Sequence, residues 1–493
     1  MQLHASLFLN NLQLPPPDGV FALPWSLKKV LGLLAIFGPA AIVASVSIGA
    51  GETIVVVRMG AWAGYGMLWL VFLSCIVKGV FVTYLVGRYT AISGQYIGHR
   101  LVRLPGPRGW LLIALIVFEM IGAPLGWVPI AKPCGDLLHF LFRDSLTAVA
   151  DSEVFWENLF TTAFIAMAMI FGLKLSFERL EKQQLVICGI LVSGTIMGTL
   201  LVRPDLAQAL VGSVSIGDLP DFPAWAPQDA IDHPLLTMAT TFGYVGGSVF
   251  AYIAYSNWIG LHGWGLTGHD DIKAIRAEAF ETGRHDYLPN DVEQAGKLRA
   301  LTAPLRWDVG LGAVVLFIVT AAFMLSGAAV LYPLESRFEG WGLLTEQAHV
   351  WRTIHPTLVW IYYVCIIAAL WGTLQALPEI YARVMQEFLQ AVWPEREWDY
   401  NRLKRRICLY VFVVAVAIIW LNIPFDILIQ VAGFIMANFA IALIMAAAVY
   451  LNFKLPSAYR THPVVLVGAL LSMLVLFVFA GISGWGLATK LAG

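Results

Sequence analysis

Glu52 stands inside an otherwise apolar run from Leu31 to Val57 and directly follows Gly49, Ala50 and Gly51. A carboxylate in a segment long enough to cross a bilayer has to leave water, and glycines loosen the helix that carries it. Such a break presents a charged oxygen and free backbone carbonyls at one depth, a chemistry suited to cation binding or proton transfer. A second stretch, Gly243-Tyr244-Val245-Gly246-Gly247-Ser248, interrupts a later apolar run in the same way. Unwound carbonyls can ligate a cation there, and the N-terminus of the following helix can hold an anionic group. Glycines that only allow close helix packing would leave the same residues.

Other polar side chains in apolar runs extend the constellation. Glu119, within Val117-Phe118-Glu119-Met120, should face protein or a wet cavity, where it either carries protons or buttresses a neighbouring helix. Lys78 is the natural counter-charge for Glu52 or Glu119, as an ion pair or as a coupling switch. Ser248, Tyr252 and Tyr255 share one helix face, where their hydroxyls can bind a solute or satisfy the nearby break. Gln430 and Asn438 fall on successive turns of one face in a later run. A glutamine offers a carbonyl ligand without charge, although interhelical hydrogen bonding is the common use of such residues. Arg58, near the end of the first run, reads as a structural partner for an acid or a lipid headgroup.

The elements that must position these groups are membrane helices. Of the 493 residues 59% are hydrophobic and only 13% charged, about half the usual charged share, and the charges are segregated between apolar runs. A net charge of -1 argues against nucleic-acid binding. The five cysteines form neither a C-x-x-C metal pair nor a disulfide framework. Hydropathy predicts eleven spans, near 30–57, 64–87, 109–131, 158–173, 184–202, 236–262, 308–332, 355–378, 405–423, 427–451 and 462–487. Basic residues alternate between the connecting segments. Lys28 and Lys29, the 88–108 segment, the 263–306 loop, Arg402 to Arg406 and Lys454 would lie inside, while the Asp-rich 204–235 loop would lie outside. That pattern predicts a cytoplasmic N-terminus and an external C-terminus.

Interruptions at matching positions five spans apart point to an inverted-repeat transporter. The expected organisation is a cytoplasmic N-terminal arm at 1–29, a five-span repeat at 30–202, an external loop at 203–235, a second repeat at 236–451, and an eleventh span with an external C-terminus at 452–493. The chain carries no Walker motif, paired-carboxylate, His-x-x-x-His or Gly-x-Ser-x-Gly signature, so neither ATP-driven pumping nor an intramembrane enzyme is expected, and no cofactor is implied.

Several stretches resemble the natural-resistance-associated macrophage protein family of divalent-metal transporters. They include Gly38-Pro39-Ala40, Gly64-Tyr65-Gly66-Met67-Leu68-Trp69, Gly87-Arg88-Tyr89 to Gly94, Val384 to Leu389, Gln430-Val431 and Asn438-Phe439-Ala440. The resemblance implies an all-α polytopic fold, a LeuT-like 5+5 inverted repeat with one extra C-terminal span. The family's Asp-Pro-Gly-Asn motif falls on Gly49, Ala50, Gly51 and Glu52, so the aspartate is absent and a carboxylate stands three residues on. Its Met-Pro-His motif falls on Phe250, Ala251 and Tyr252, which replaces a sulfur ligand by phenyl and an imidazole by phenol. One acid of the third span matches Glu119, while later acidic positions fall on Gly126 and Pro129.

The resemblance therefore implies a substrate site of Gly49, Glu52, Ser248, Phe250, Tyr252, Gln430 and Asn438, with Glu52 and Gln430 as metal ligands and Glu52, Glu119 and Lys78 in proton or ion-pair roles. Loss of the sulfur ligand disfavours soft ions, and oxygen donors suit a hard divalent cation such as Mg, with Mn the family's usual kind. Phe250 and Tyr252 equally suit a small organic solute. A non-transporting membrane receptor or structural subunit is a further alternative. The expected setting is a bacterial inner membrane, with lipid as surroundings and a single chain as the working unit.

Overall fold

The computed structural model describes residues 12–15, 19–23, 25–47, 49, 51–146, 152–338 and 342–492; Ala50 and the first eleven residues of the expected 1–29 arm lie outside them. Among the described residues every regular element is a helix. Eight helices are long and apolar enough to cross a membrane: Leu68–Ser93, Trp110–Ser145, Glu153–Lys174, Phe177–Val202, Val292–Leu331, Leu358–Val392, Phe425–Lys454 and Pro463–Ala492. Counting the bent pair Leu27–Leu34 and Pro39–Ser47 as one span raises the number to nine.

The structure departs from the expected eleven spans at three places. Each expected broken span is divided into helices too short to cross alone. The first consists of Pro39–Ser47, a π turn at Gly51–Val55 and Val56–Ala63. The second consists of Pro234–Tyr244 and Val249–His262. A third segment, Tyr400–Trp420, is a full helix whose first turns carry Arg402, Lys404, Arg405 and Arg406. The other eight expected segments coincide with the eight long helices, most of which run past the expected bounds.

Burial divides the helices. Pro39–Ser47 and the second half of the second broken segment are almost wholly buried. Phe177–Val202 and Pro463–Ala492 instead turn large apolar side chains outward, among them Leu200 at 71% and Val464 at 72% exposure. An apolar face of that kind suits lipid rather than water. Trp110–Leu146 contains Pro124, Pro129 and Pro133 yet stays helical, as prolines can when neighbouring groups satisfy the freed carbonyls. Further π turns occupy Cys75–Val82, Gly327–Leu331 and Gly433–Phe439. Each shifts the angular register of the side chains that follow. Part of the N-terminal arm is packed: Leu12 and Leu14 are buried, and the Leu14 N–H donates to Gln294 Oε1 at 2.9 Å.

Candidate functional site

The two breaks face each other. Gly246 adopts φ +94°, a backbone region open to glycine, and its N–H donates to Glu52 Oε1 at 2.8 Å. Gly51 lies so close to the Tyr244 carbonyl that a Cβ there would collide with it. Ser248 stands just before the Val249–His262 helix, and its hydroxyl donates to Glu119 Oε1 at 2.6 Å. Two carboxylates from different helices therefore hold one irregular segment, at positions two residues apart. Both side chains are fully buried.

Beside this clasp lies a cavity of about 100 Å³. Its walls include Ser47, Gly49, Gly51, Tyr244 and Ser248 from the breaks, with Trp127, Thr373, Tyr381 and Met436 from three surrounding helices. Trp127 stacks on Tyr381 at 6.0 Å and donates its indole N–H to the Tyr381 hydroxyl at 3.3 Å. Two hydroxyls of the cavity wall, those of Ser47 and Tyr244, are buried without a hydrogen-bond partner in the protein. Buried polar atoms of this kind are costly unless something else binds them. Among the described residues, no group of three or more His, Cys, Asp or Glu side chains is placed to hold a metal ion. Any cation here would rely on two carboxylates, hydroxyls and backbone carbonyls.

The expected site residues divide in space. Gly49 and Ser248 line the cavity, and Glu52 and Glu119 anchor its irregular wall. Phe250 packs instead against Tyr381 and Phe388, and Tyr252 lines a separate small cavity with Ala40, Gly79 and Leu316. Gln430 is not brought to Glu52. Its Nε2 donates to Asp229 Oδ2 at 2.9 Å, and its Oε1 accepts from Lys490 Nζ at 2.9 Å. Asn438 donates to the Ala239 carbonyl at 3.0 Å and to Ser483 Oγ at 2.8 Å. Lys78 faces carbonyls rather than either carboxylate: its Nζ donates to Phe242 O at 2.5 Å and Gly243 O at 2.7 Å.

Sequence reasoning missed Trp127, Thr373, Tyr381 and Met436, which look like core residues in apolar helices. It also missed Asp308. That buried carboxylate accepts the Gly38 N–H at 3.0 Å, the Ala40 N–H at 2.9 Å and the Tyr255 hydroxyl at 3.0 Å. It thereby caps the first broken segment and ties it to the second.

A family model described as natural resistance-associated macrophage protein-like matches residues 40–486. No curated protein matches the chain. Among solved structures, the manganese transporter of Eremococcus coleocola in complex with an aromatic bis-isothiourea substituted compound is similar at TM-score 0.60 and 12% identity, over 94% of this chain and 88% of that one. A mutant of the same transporter gives TM-score 0.61 at 13% identity, with the same coverage. MHP1, a nucleobase-cation-symport-1 family transporter in a closed conformation with bromovinylhydantoin bound, gives TM-score 0.52 at 12% identity, over 92% of this chain and 93% of that one. The fold is all-α and polytopic with a LeuT-like arrangement of helices, and the chain is an integral membrane protein.

Proposed function

The chain belongs to the natural resistance-associated macrophage protein-like family, and we propose that it carries a hard divalent cation, Mg-like, across the membrane by alternating access around its two broken segments. The observation that carries this reading is the pair Glu52 and Glu119. Each carboxyl group holds the second break through one oxygen, at Gly246 and at Ser248, and both of those residues line the cavity. Two carboxyl groups, ionising as a cation binds, would supply the charge compensation that Glu52 alone would not. Met436 adds a thioether to the wall from a helix other than the family's usual one, which keeps Mn as the comparison ion.

The order of helices supports the finer architecture that we propose. Counting both broken segments and Tyr400–Trp420 as spans gives eleven, arranged as two successions of five, at 30–202 and 236–451, and a last helix. We assign a cytoplasmic N-terminus and external C-terminus from the basic and acidic loops. A bacterial inner membrane and a monomeric working unit complete the reading. Glu119 is the candidate for any proton coupling.

A small organic solute is the second reading. Trp127, Tyr381, Ile130 and Leu377 make much of the wall apolar and aromatic, as in pockets for organic ligands. Uptake into liposomes decides between them. Mg, Mn and Ca flux is measured with and without a pH gradient, for the native chain and for Glu52→Gln. Mg flux lost in Glu52→Gln supports the cation reading. No flux of any of the three ions sinks it, and binding of a solute that survives Glu52→Gln then favours the second. Ligand-induced conformational change without any flux would identify a receptor.

A further inference from the structure

We propose that Lys78 is a built-in cation. Its tethered amino group occupies the place where a free alkali cation would otherwise neutralise the end of the interrupted Pro234–Tyr244 helix, so the chain needs no bound sodium or potassium there.

A helix that stops inside a membrane leaves its last four carbonyls unpaired and gathers partial negative charge at that end. Without water, those oxygens need donors or a cation. Phe242 and Gly243 are two of the last residues before the break. Lys78 Nζ reaches both carbonyls, at 2.5 and 2.7 Å. Ser74, one turn earlier, donates its hydroxyl to Phe242 O at 2.9 Å and to Val245 O at 3.0 Å. Together the two side chains serve three carbonyls at the break.

An aromatic ring and a carboxyl group complete the surroundings of the amino group. The amino group lies 4.7 Å from the centroid of the Phe242 ring, a cation–π distance. Glu52 is near enough to interact electrostatically, and its own hydrogen bond goes to Gly246 in the same break. The lysine stem packs beside Gly246, and the side chain is fully buried. A lysine ammonium is a compact point charge with up to three donors, and carbonyl oxygens are the ligands an alkali ion would take. Here that charge arrives on a stem anchored in the Cys75–Val82 π turn. An ordinary ion pair would place Nζ on a carboxylate; here its hydrogen bonds go to the helix end.

The inference rests on reading the breaks as a transport centre, but its test does not require transport. Thermal unfolding is measured on the full chain in detergent, in the chlorides of choline, sodium and potassium at equal ionic strength. The native chain should unfold at the same temperature in all three. Lys78→Met should unfold several degrees lower in choline and recover part of the loss in sodium or potassium, saturably, as binding to the folded state requires. The double variant Lys78→Met/Glu52→Gln should lose that recovery. Saturable stabilisation of the native chain by sodium or potassium overturns the proposal, as does a folded Lys78→Met with no cation response. Should Lys78→Met fold in no salt, Lys78→Arg decides. It keeps a tethered charge and should be insensitive to the salt chosen, and dependence on sodium or potassium overturns the idea. Mg uptake by the native chain in liposomes is read separately, so a failed transport reading leaves these salt responses intact.

Discussion

Arg58 and Asp426 meet at 2.6 Å and join the second half of the first broken segment to the start of the Phe425–Ala432 helix. Arg58 is 3% exposed, and its guanidinium lies over the rings of Trp62 and Phe425 at 4.4 and 5.1 Å. The pair shares a small cavity with Asp229 and Gln430, which bind Lys490 from the last helix. Several elements therefore converge between the acidic 204–235 loop and the two breaks.

Asp426→Asn should loosen that junction. It leaves the nearly buried Arg58 without its counter-charge, at a cost of about 1–3 kcal/mol, below that of breaking a fully buried pair because Asp426 is partly exposed. If the junction closes this face of the transporter, a cysteine placed at Thr237 will be alkylated several-fold faster in the Asn variant. Equal alkylation rates in the two backgrounds would show that the pair is only structural.

Gly246→Ala tests the clasp itself. The residue has φ +94°, and a Cβ would lie 2.5 Å from the Tyr252 hydroxyl. Backbone strain alone costs on the order of 1–3 kcal/mol, and the hydroxyl must also move. The N–H that Glu52 accepts should shift with it. A folded variant with a lowered melting temperature and Mg uptake reduced at least tenfold is expected; native uptake would mean that the Glu52–Gly246 bond does not matter to transport.

Part of this arrangement is legible in the sequence because charge in an apolar run is costly. Glu52, Lys78 and Glu119 stand out for that reason, and the structure buries all three. The glycines at 246 and 247 stand out as helix breakers. Gln430 and Asn438 illustrate where the pattern misleads. Helical spacing places them on one face, but Gln430 precedes the π turn Gly433–Phe439 and Asn438 lies within it, so the register shifts between them. One then meets Asp229 and the other Ser483. The cavity wall was illegible for a different reason: nothing in the spacing of Trp127, Tyr381 or Met436 separates a residue lining a cavity from one filling a core.

Met436→Leu separates hard from soft cargo. The thioether is the soft ligand in the cavity wall, and leucine conserves volume at a cost usually below about 1.5 kcal/mol. Mg uptake should stay within about twofold of native. A selective loss of Mn uptake in the same liposomes would show that sulfur ligates the ion and would shift the assignment toward Mn.

Acid should weaken the face that carries the basic loops. His285, buried and 3.1 Å from the Tyr89 hydroxyl, is held down to about 4 from 6.5, mainly by burial and then by Arg100. His99 is likewise held down to about 4, by burial and then Arg276. Their folded values lie below the unfolded one, so the unfolded chain binds more protons between about pH 6.5 and 4. The stability they contribute is complete above 6.5 and is lost as pH falls toward 4. Melting temperature measured from pH 7.5 to 4.5 should fall, and His285→Gln should flatten part of that fall. An unchanged slope in the variant would assign the acid lability elsewhere.

Asp308 carries the last prediction, because three donors converge on one carboxylate. Gly38 and Ala40 give it backbone N–H groups at the start of the Pro39–Ser47 helix, and Tyr255 gives a hydroxyl from the second broken segment. The carboxylate also lies at the positive end of the helix, where a negative charge is favoured. Asp308→Ala leaves three buried donors unpaired, each worth about 1–3 kcal/mol of desolvation. Asp308→Asn keeps the shape but replaces one acceptor by an NH₂ group facing a donor, so it should fall between native and Ala. Both variants should release the Pro39–Ser47 helix from the second broken segment. Amide exchange over residues 39–47 should therefore rise in the order native, Asn, Ala, while exchange over the distant Pro463–Ala492 helix stays unchanged. A uniform rise across the whole chain would mean that Asp308 supports global stability rather than this one junction, and no rise would mean that the Tyr255 and backbone bonds hold nothing that the packing does not.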